Sequence, residues 1–254
     1  MIGLKYGAFD LQANGFRVTD TDIYSAPTNR IQADPLAERD GALIVKQQYD
    51  SKTFTVEGWF RKSTIAEVEQ ARDEFMRAMG AKNQALDIDY AGGVRRYLAS
   101  AQNVILSRIG LTSFGFSIEF LSPDGMGWDL SSTTLVAGEL ITNSSATIPI
   151  DVGGSYKAEP VISVLINDVT GGVGKTVTIS NGISLRQIQV TRDWVAGDLL
   201  EISTIEGTVF VNNIATDFTG QLPEFEAGIG RLGYNDDFTT RNALLTAGYV
   251  RRWL

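Results

Sequence analysis

A strict alternation of apolar and polar residues is the feature that most constrains how this chain can fold. Between Thr112 and Phe120, every even position from 114 onward carries Phe or Ile, and the odd positions carry Ser, Gly or Glu. Successive side chains of a β-strand point to opposite faces, so the pattern predicts a strand with one buried face. Residues 52–61 and 86–90 alternate in the same way. The first half of the chain is therefore predicted to be mainly β.

One segment of the first half has helical spacing instead. Thr64 and Glu67 form the T-x-x-E pattern of a capping box, and apolar residues recur at helical intervals from position 68 to position 79. This predicts a single amphipathic helix over about residues 64–79, with its Met and Phe side chains packed on the core. Gly80 is expected to end the helix as the C′ residue.

The second half predicts another β domain. Strings such as TIPIDV, KTVTISN and TVFVNN, punctuated by Gly and Asn, are typical of a β-sandwich or jelly roll. The Ser-, Thr- and Gly-rich stretch 122–146 opens with the turn signal Ser-Pro-Asp-Gly, which places a domain boundary there. We expect a mainly β fold of two β-sandwich domains, residues 1–130 and 131–254. A slip in the apolar phase of ISLRQIQV predicts a β-bulge near Arg186 and Gln187.

Residues 14–42 lack a regular period and contain Ala-Pro and Asp-Pro steps. An extended arm that contacts a neighbouring molecule fits this composition, and an ordinary long loop fits it equally well.

Two absences from the composition exclude most catalytic designs. The chain has no Cys and no His, which removes disulfides, thiol nucleophiles, Ser-His-Asp triads and the usual zinc and iron sites. The net charge is −8, divided as −3 before residue 131 and −5 from there on, so neither half is a basic lobe for nucleic acid. We expect no enzyme activity, no catalytic residue, no metal and no cofactor.

The sequence carries neither a signal-peptide pattern at its N-terminus nor an apolar run of the roughly 20 residues that a membrane helix needs. We expect no membrane insertion, and folding in a cytoplasm.

Residues 171–176, Gly-Gly-Val-Gly-Lys-Thr, resemble the end of a Walker A loop. The first glycine of that motif would fall at Val169, and the β-branched residues after Thr176 predict a strand where a phosphate-binding loop needs a helix. We therefore expect a Gly-rich connection between two strands, with no nucleotide at Lys175.

Asp87 and Asp89 lie two residues apart on a predicted strand, so both face the same way. Such a pair could ligate a hard cation or act as a glycosidase pair, but ion pairs with Arg95 and Arg96 are the simpler expectation. Two further pairs have no better spacing: Asp20 with Asp22, and Asp236 with Asp237.

Aromatic residues of the second half could stack on sugar rings, but each of them is more simply a core residue. They are Tyr156, Trp194, Phe210, Tyr234, Phe238, Tyr249 and Trp253. Ligand-binding residues remain unassigned at this level.

Several strings together resemble the distal tail proteins of siphophages, the Dit family. In the first half they are PLAERDGA (35–42), KTFTVEGWF, the single helix and LDIDYAGGVRRYLA (86–99); in the second they are GDLLEISTIEGTVFVNN, LPEFEAGIGRLGY and AGYVRRWL. The resemblance covers nearly the whole chain, and its motifs are turns and strand strings with no catalytic signature.

The resemblance implies a structural role in the virion. Family members form a homo-hexameric ring at the tail tip, between the tail tube protein and the tail hub or tip protein, through which DNA passes as cargo. Their first domains make the ring, and their galectin-like second domains project outward, where receptor-binding or fibre proteins, or host glycans, are bound. The implied protein is assembled in the bacterial cytoplasm. Residues 14–42 and 87–99 are our expected ring contacts.

A glycan-binding adhesin that attaches to the host surface is the alternative function. An NTPase or a carboxylate hydrolase fits the sequence least well, because neither motif is complete.

Overall fold

The computed structural model describes residues 3–36 and 39–254, and the chain divides into two compact units. The first comprises Met1–Leu130 together with Leu254, and the second comprises Ser131–Trp253. The described residues form twenty strands and a single helix, so the chain is mainly β, as its alternating patterns predict. The described residues contain no helix that is long and apolar enough to cross a membrane.

The first unit contains ten strands and the helix. They are β1 (Leu4–Tyr6), β2 (Phe9–Asp10), β3 (Phe16–Thr21), β4 (Asn29–Pro35), β5 (Ala42–Tyr49), β6 (Lys52–Arg61), α1 (Ile65–Met79), β7 (Gln84–Tyr90), β8 (Gly93–Gly110), β9 (Ser113–Ser122) and the beginning of β10 (Gly127–Ile141).

The second unit contains the rest of β10 and ten further strands. They are β11 (Ser145–Val152), β12 (Val161–Thr170), β13 (Lys175–Asn181), β14 (Gln187–Arg192), β15 (Leu199–Ser203), β16 (Thr208–Val211), β17 (Ile214–Ala215), β18 (Thr219–Gly220), β19 (Gly228–Asp236) and β20 (Thr240–Trp253).

The long strand β8 joins the two sheets of the first unit. Its first part pairs with β7, which continues to β1 and β2, and its second part pairs with β9, which continues to β6 and β3. The core between these sheets and α1 is rich in aromatic rings. Phe16, for example, lies 4.3 Å from Phe60 and 4.9 Å from Phe75 between ring centroids.

The alternating strands form where the sequence predicts them. β6 and β9 pair antiparallel over their full lengths, and Phe54, Val56, Ile118 and Phe120 are completely buried on their inner face. Alternation therefore identified both the strand and the face that packs on the core.

The predicted helix is also confirmed, with one correction at its end. The Thr64 hydroxyl accepts a hydrogen bond from the Glu67 amide while the Glu67 side chain bonds back to the Thr64 amide, which is the expected capping box. The helix ends before Gly80, as expected, but Gly80 is the C-cap residue with a right-handed φ of −71°, so its predicted position as C′ is wrong. Any residue can adopt this conformation, so the cap does not depend on glycine.

The predicted arm at residues 14–42 requires a different boundary. Strand β3, which includes Phe16, pairs with β6 inside the first unit and is not part of any arm. The segment that stands apart is the hairpin of β4 and β5, which form a separate two-stranded sheet. Ala37 and Glu38 of the PLAERDGA string lie outside the described residues.

The second unit consists of two sheets around one apolar core. One sheet contains β17, β16, β15, β12 and β20 in that order, and the other contains β11, β19, β13, β14 and β18. The buried side chains between them include Ile162, Ile179, Leu232 and Leu245. The Ser- and Thr-rich stretch 122–146, in which a domain boundary is expected, is mostly strand β10, and the division between the two units falls within it, after Leu130.

The expected bulge near Arg186 and Gln187 is wrong. Ile183 and Leu185 belong to the turn before β14, where they are 66% and 79% exposed, and the regular strand begins only at Gln187. The apolar phase slips because the first two apolar residues are not in the strand at all.

Candidate interaction surfaces

The hairpin of β4 and β5, called the arm hairpin from here on, exposes apolar side chains. Ile31, Leu43, Ile44 and Val45 are 52 to 61% exposed, and among the described residues the two strands pair only with each other. An isolated two-stranded hairpin is at best marginally stable in water, and clustered exposed apolar side chains mark surfaces that become covered. The arm hairpin is therefore a candidate contact surface.

The base of the arm hairpin is fixed to the first unit. The Asp50 amide donates to the Thr28 carbonyl at 2.8 Å, and Arg30 and Asp50 form an ion pair across the two strands. In the connection from β3 to β4, the Ile23 carbonyl accepts hydrogen bonds from the Tyr90 hydroxyl at 3.0 Å and from Lys52 Nζ at 3.2 Å. These bonds hold the entry into the hairpin in one place.

Lys52 is an unusual anchor, because it is only 4% exposed. Its ammonium group lies 4.4 Å from the centre of the Phe54 ring and 5.8 Å from that of Tyr97. Burial lowers the pKa of Lys52 to about 8, partly opposed by the charge of Asp22. The signal for this site in the sequence was a lysine at an inward position of an alternating strand.

Asp87 and Arg96, within the expected contact region 87–99, form the ion pair that the sequence predicts. Strands β7 and β8 place them directly opposite each other, and Arg96 donates from Nε and Nη2 to the two carboxylate oxygens at 2.7 and 2.8 Å. Arg95 has its guanidinium 4.4 Å from the centre of the Tyr90 ring. The described residues contain no group of three acidic side chains that could hold a metal ion.

The other two carboxylate pairs have structural partners. Asp22 accepts a hydrogen bond from the Thr55 amide at 2.7 Å. Asp236 has a fully buried side chain that accepts from the Phe238 amide at 2.9 Å and pairs with Arg241 at 3.0 Å. Both carboxylates fix local backbone and side-chain positions.

The Gly-rich segment 171–176 comprises the connection from β12 to β13 and the first two residues of β13, as its β-branched flank predicts. Its amides face carboxylates: Gly174 donates to Asp193 at 2.7 Å and Thr176 donates to Asp237 at 2.8 Å. Lys175 Nζ lies 3.8 Å from the same Asp237. A phosphate would be repelled by these acidic groups, so the loop is not a nucleotide cradle.

The sequence did not indicate a cleft of about 730 Å³ beside the start of α1. Arg17, Trp59, Arg61 and Lys62 are among its lining residues, and Arg17 has its guanidinium 5.6 Å from the centre of the Trp59 ring. These residues come from two paired strands and from the turn after β6. Because they are not contiguous in the sequence, no motif indicated the cleft.

Four of the seven aromatic candidates in the second unit are core residues. Trp194, Tyr234, Phe238 and Tyr249 are each at most 5% exposed. The Trp194 indole donates to the Lys175 carbonyl at 2.9 Å, and the Tyr249 hydroxyl accepts from the Gly153 amide at 2.7 Å. None of these four rings can serve as a sugar platform.

The chain thus consists of two β units, the first with a single helix and with a hairpin whose strands, among the described residues, pair only with each other. The chain is similar over its whole length to the crystal structure of SPP1 Dit (gp 19.1), described as a paradigm of the hub adsorption apparatus in phages that infect Gram-positive bacteria. The TM-score is 0.69 at 12% sequence identity, with all of both chains covered. The predicted likeness to distal tail proteins is thus confirmed for the fold.

A second similarity is to the baseplate of phage P2 in its activated conformation with Ca. The TM-score is 0.45 at 8% identity, covering 99% of this chain and 98% of that one. No protein-family model and no curated protein sequence matches the chain.

Proposed function

We propose that this protein is a structural component of the distal tail of a phage with a long, non-contractile tail. In this role it forms a homo-hexameric ring that joins the tail tube protein to the tail hub or tip protein. The observation that carries the proposal is the full-length fold likeness to SPP1 Dit. The absence of Cys and His from the sequence, together with the structural use of the carboxylate pairs, favours a non-enzymatic role.

The arm hairpin supports the ring part of the proposal. A ring of identical subunits closes through head-to-tail contacts, which require one surface of each copy to fit a different surface of the next. The arm hairpin is anchored at its base, exposes apolar side chains and, among the described residues, forms strand pairs only within itself, so it supplies one such surface. Strands β7 and β8 at residues 87–99 remain our second proposed contact region.

The second unit, in this proposal, is the galectin-like outer domain that presents receptor-binding or fibre proteins. An acidic ring would not hold the passing DNA through phosphate contacts, which agrees with the net charge of −8. Assembly would take place in the bacterial cytoplasm before the tail is completed.

Native mass spectrometry of the purified protein, alone and with its tail tube and hub proteins, tests the ring. A hexamer of 27.6 kDa chains has a mass of about 166 kDa. We expect this species in at least one of the mixtures. A chain that stays monomeric in all of them would contradict the proposal.

Removal of the arm hairpin tests the contact separately. Because Thr28 and Asp50 are hydrogen-bonded neighbours, residues 30–48 can be replaced by two glycines without stretching the chain. We expect a folded monomer. Its far-ultraviolet circular dichroism spectrum should differ from that of the parent chain only by the contribution of the two deleted strands. Hexamers of the shortened chain would show that other surfaces close the ring.

A further inference from the structure

The cleft beside the start of α1 is basic, although the chain as a whole is acidic. Its charged lining residues are Arg17, Arg61, Lys62 and Glu67. Three of these four side chains are cationic, which gives the cleft a net positive charge in a chain of net charge −8. These four residues together with Trp59 are called the basic cleft.

The cations of the basic cleft are not neutralised within the chain. Arg17 and Arg61 are exposed, and neither forms an ion pair with a described residue. Lys62 Nζ donates to the Asn14 carbonyl at 3.0 Å, which leaves its charge unbalanced. The Glu67 carboxylate is occupied by the capping box at the start of α1. The basic cleft therefore presents two guanidinium groups without a counter-charge.

Trp59 adds an apolar surface to the basic cleft. Its side chain is 36% exposed, and the Arg17 guanidinium lies 5.6 Å from the centre of its ring. Tryptophan and arginine are the residue types that most often carry the binding energy of protein–protein contacts. This combination suits a peptide segment that brings both carboxylates and an apolar side chain.

The tip of the arm hairpin has the complementary composition. Residues 34–40 contain three acidic residues and a single arginine. Asp34 and Asp40 are exposed and form no ion pair with a described residue, and Leu36 between them is 43% exposed. The Leu36 amide donates to the Gly41 carbonyl at 3.2 Å, which closes the turn between the two carboxylates.

The tip does not reach the basic cleft of its own chain. The arm hairpin ends at Asp50, next to the first residue of β6, whereas Trp59 and Arg61 of the basic cleft lie at the other end of that strand. At about 3.3 Å per residue, β6 is about 30 Å long and β4 only about 20 Å. No described residue of the hairpin lines the cleft. A tip that occupies the basic cleft must therefore come from another molecule.

We infer that the basic cleft binds the tip of the arm hairpin of a second copy of this chain. The carboxylates of the tip pair with Arg17 and Arg61. Leu36 packs on the exposed Trp59 ring. The inference rests on the proposed ring and adds the surface that receives the hairpin. Because the two complementary surfaces lie at opposite ends of β6, each copy gives its hairpin to one neighbour and receives one from the other, as a head-to-tail ring requires.

Charge reversal in the full-length chain tests the inference. The cleft variant carries Arg17→Glu and Arg61→Glu, and the tip variant carries Asp34→Arg and Asp40→Arg. Each should need at least a tenfold higher protein concentration than the parent to form hexamers in native mass spectrometry, because like charges then face each other. A chain with all four substitutions should assemble like the parent. An equimolar mixture of the two variants should also assemble, since rings in which they alternate pair opposite charges throughout.

The matched control is Lys82→Glu with Arg231→Glu, which reverses two exposed positive charges outside the basic cleft and should assemble like the parent. Should the cleft variant fail to fold, Arg61→Gln removes one charge without introducing another and should also raise the concentration needed for assembly.

Two results would overturn the inference and leave the ring proposal intact: normal hexamers of either charge-reversed variant, or no recovery in both the four-substitution chain and the mixture. Hexamers of the cleft variant that no longer bind the tail tube or hub protein would assign the basic cleft to that protein instead. A parent chain that stays monomeric with both proteins present would contradict the ring itself, and the inference would fall with it.

Discussion

Lys52 donates a hydrogen bond from its buried ammonium group to the carbonyl of Ile23, at 3.2 Å. Ile23 lies in the turn that leads from β3 into the arm hairpin, so this bond links the core of the first unit to its projecting segment. The Tyr90 hydroxyl reaches the same carbonyl, which makes Ile23 a shared acceptor for two side chains from different strands.

The depressed pKa of Lys52 predicts how stability depends on pH. The pKa is about 8 in the folded chain and 10.5 in the unfolded one, so below pH 8 both states carry the proton. Between pH 8 and 10.5 the unfolded state binds more protons, and the stability of the folded state rises with pH. We expect the parent chain to gain about 2 kcal/mol relative to Lys52→Met between pH 7 and 9.5, measured by urea unfolding. If the free energy of unfolding changed with pH in the same way in both proteins, Lys52 would not be the titrating group.

Glu224 predicts the opposite behaviour in acid. Burial alone would raise its pKa, but hydrogen bonds from Lys157 and Arg186 outweigh burial and hold the pKa below its usual value of 4.5. Its stabilising contribution is therefore present above pH 4.5 and is lost as pH falls through the lower, folded pKa. The parent chain should lose more stability than Glu224→Gln when acidified from pH 5 to pH 3, as followed by thermal unfolding. An equal loss in both proteins would contradict this assignment.

Exposed apolar side chains of the arm hairpin should matter for assembly and not for folding. We expect Leu43→Thr with Ile44→Thr to change the free energy of unfolding by less than about 0.5 kcal/mol, because both side chains are mostly exposed. The same variant should lose the hexamer in native mass spectrometry. Ile229→Thr, at a position that is 87% exposed in the second unit, is the matched control and should assemble normally. Assembly of both variants would remove the arm hairpin from the ring interface.

Gly58 is expected to tolerate no side chain. A Cβ at this position would overlap the Arg17 carbonyl and the Phe116 ring, next to the irregular pairing of β3 with β6. Gly58→Ala should lower the free energy of unfolding by about 2 kcal/mol or more, because the overlapping backbone cannot move aside cheaply. The control is Gly92→Ala, where a Cβ has open space around it and little change is expected. Chemical denaturation of the two variants measures the difference.

The local elements could be predicted because their signals are contained in a few consecutive residues. Alternation identified β6 and β9 and their buried faces, and the Thr64–Glu67 pattern identified the start of α1. The boundaries of the arm could not be predicted in the same way. Because both faces of the hairpin are exposed, neither face must be apolar. The sequences of β4 and β5 therefore show no regular alternation of apolar and polar residues.

Which surface residues lie side by side was decided by pairing between distant strands. The alternating outward position of Asn235 is a local property, but its place beside Ser145 and Thr178 follows from the antiparallel registers of β19 with β11 and β13. The sequence by itself determined a mainly β chain with one capped helix and few residues suited to catalysis. Alternation and capping can be recognised within a few consecutive residues, and the lack of Cys and His follows from the composition. Only the tertiary structure decided which exposed residues lie together, since register is set by the joint packing of strands far apart in the chain.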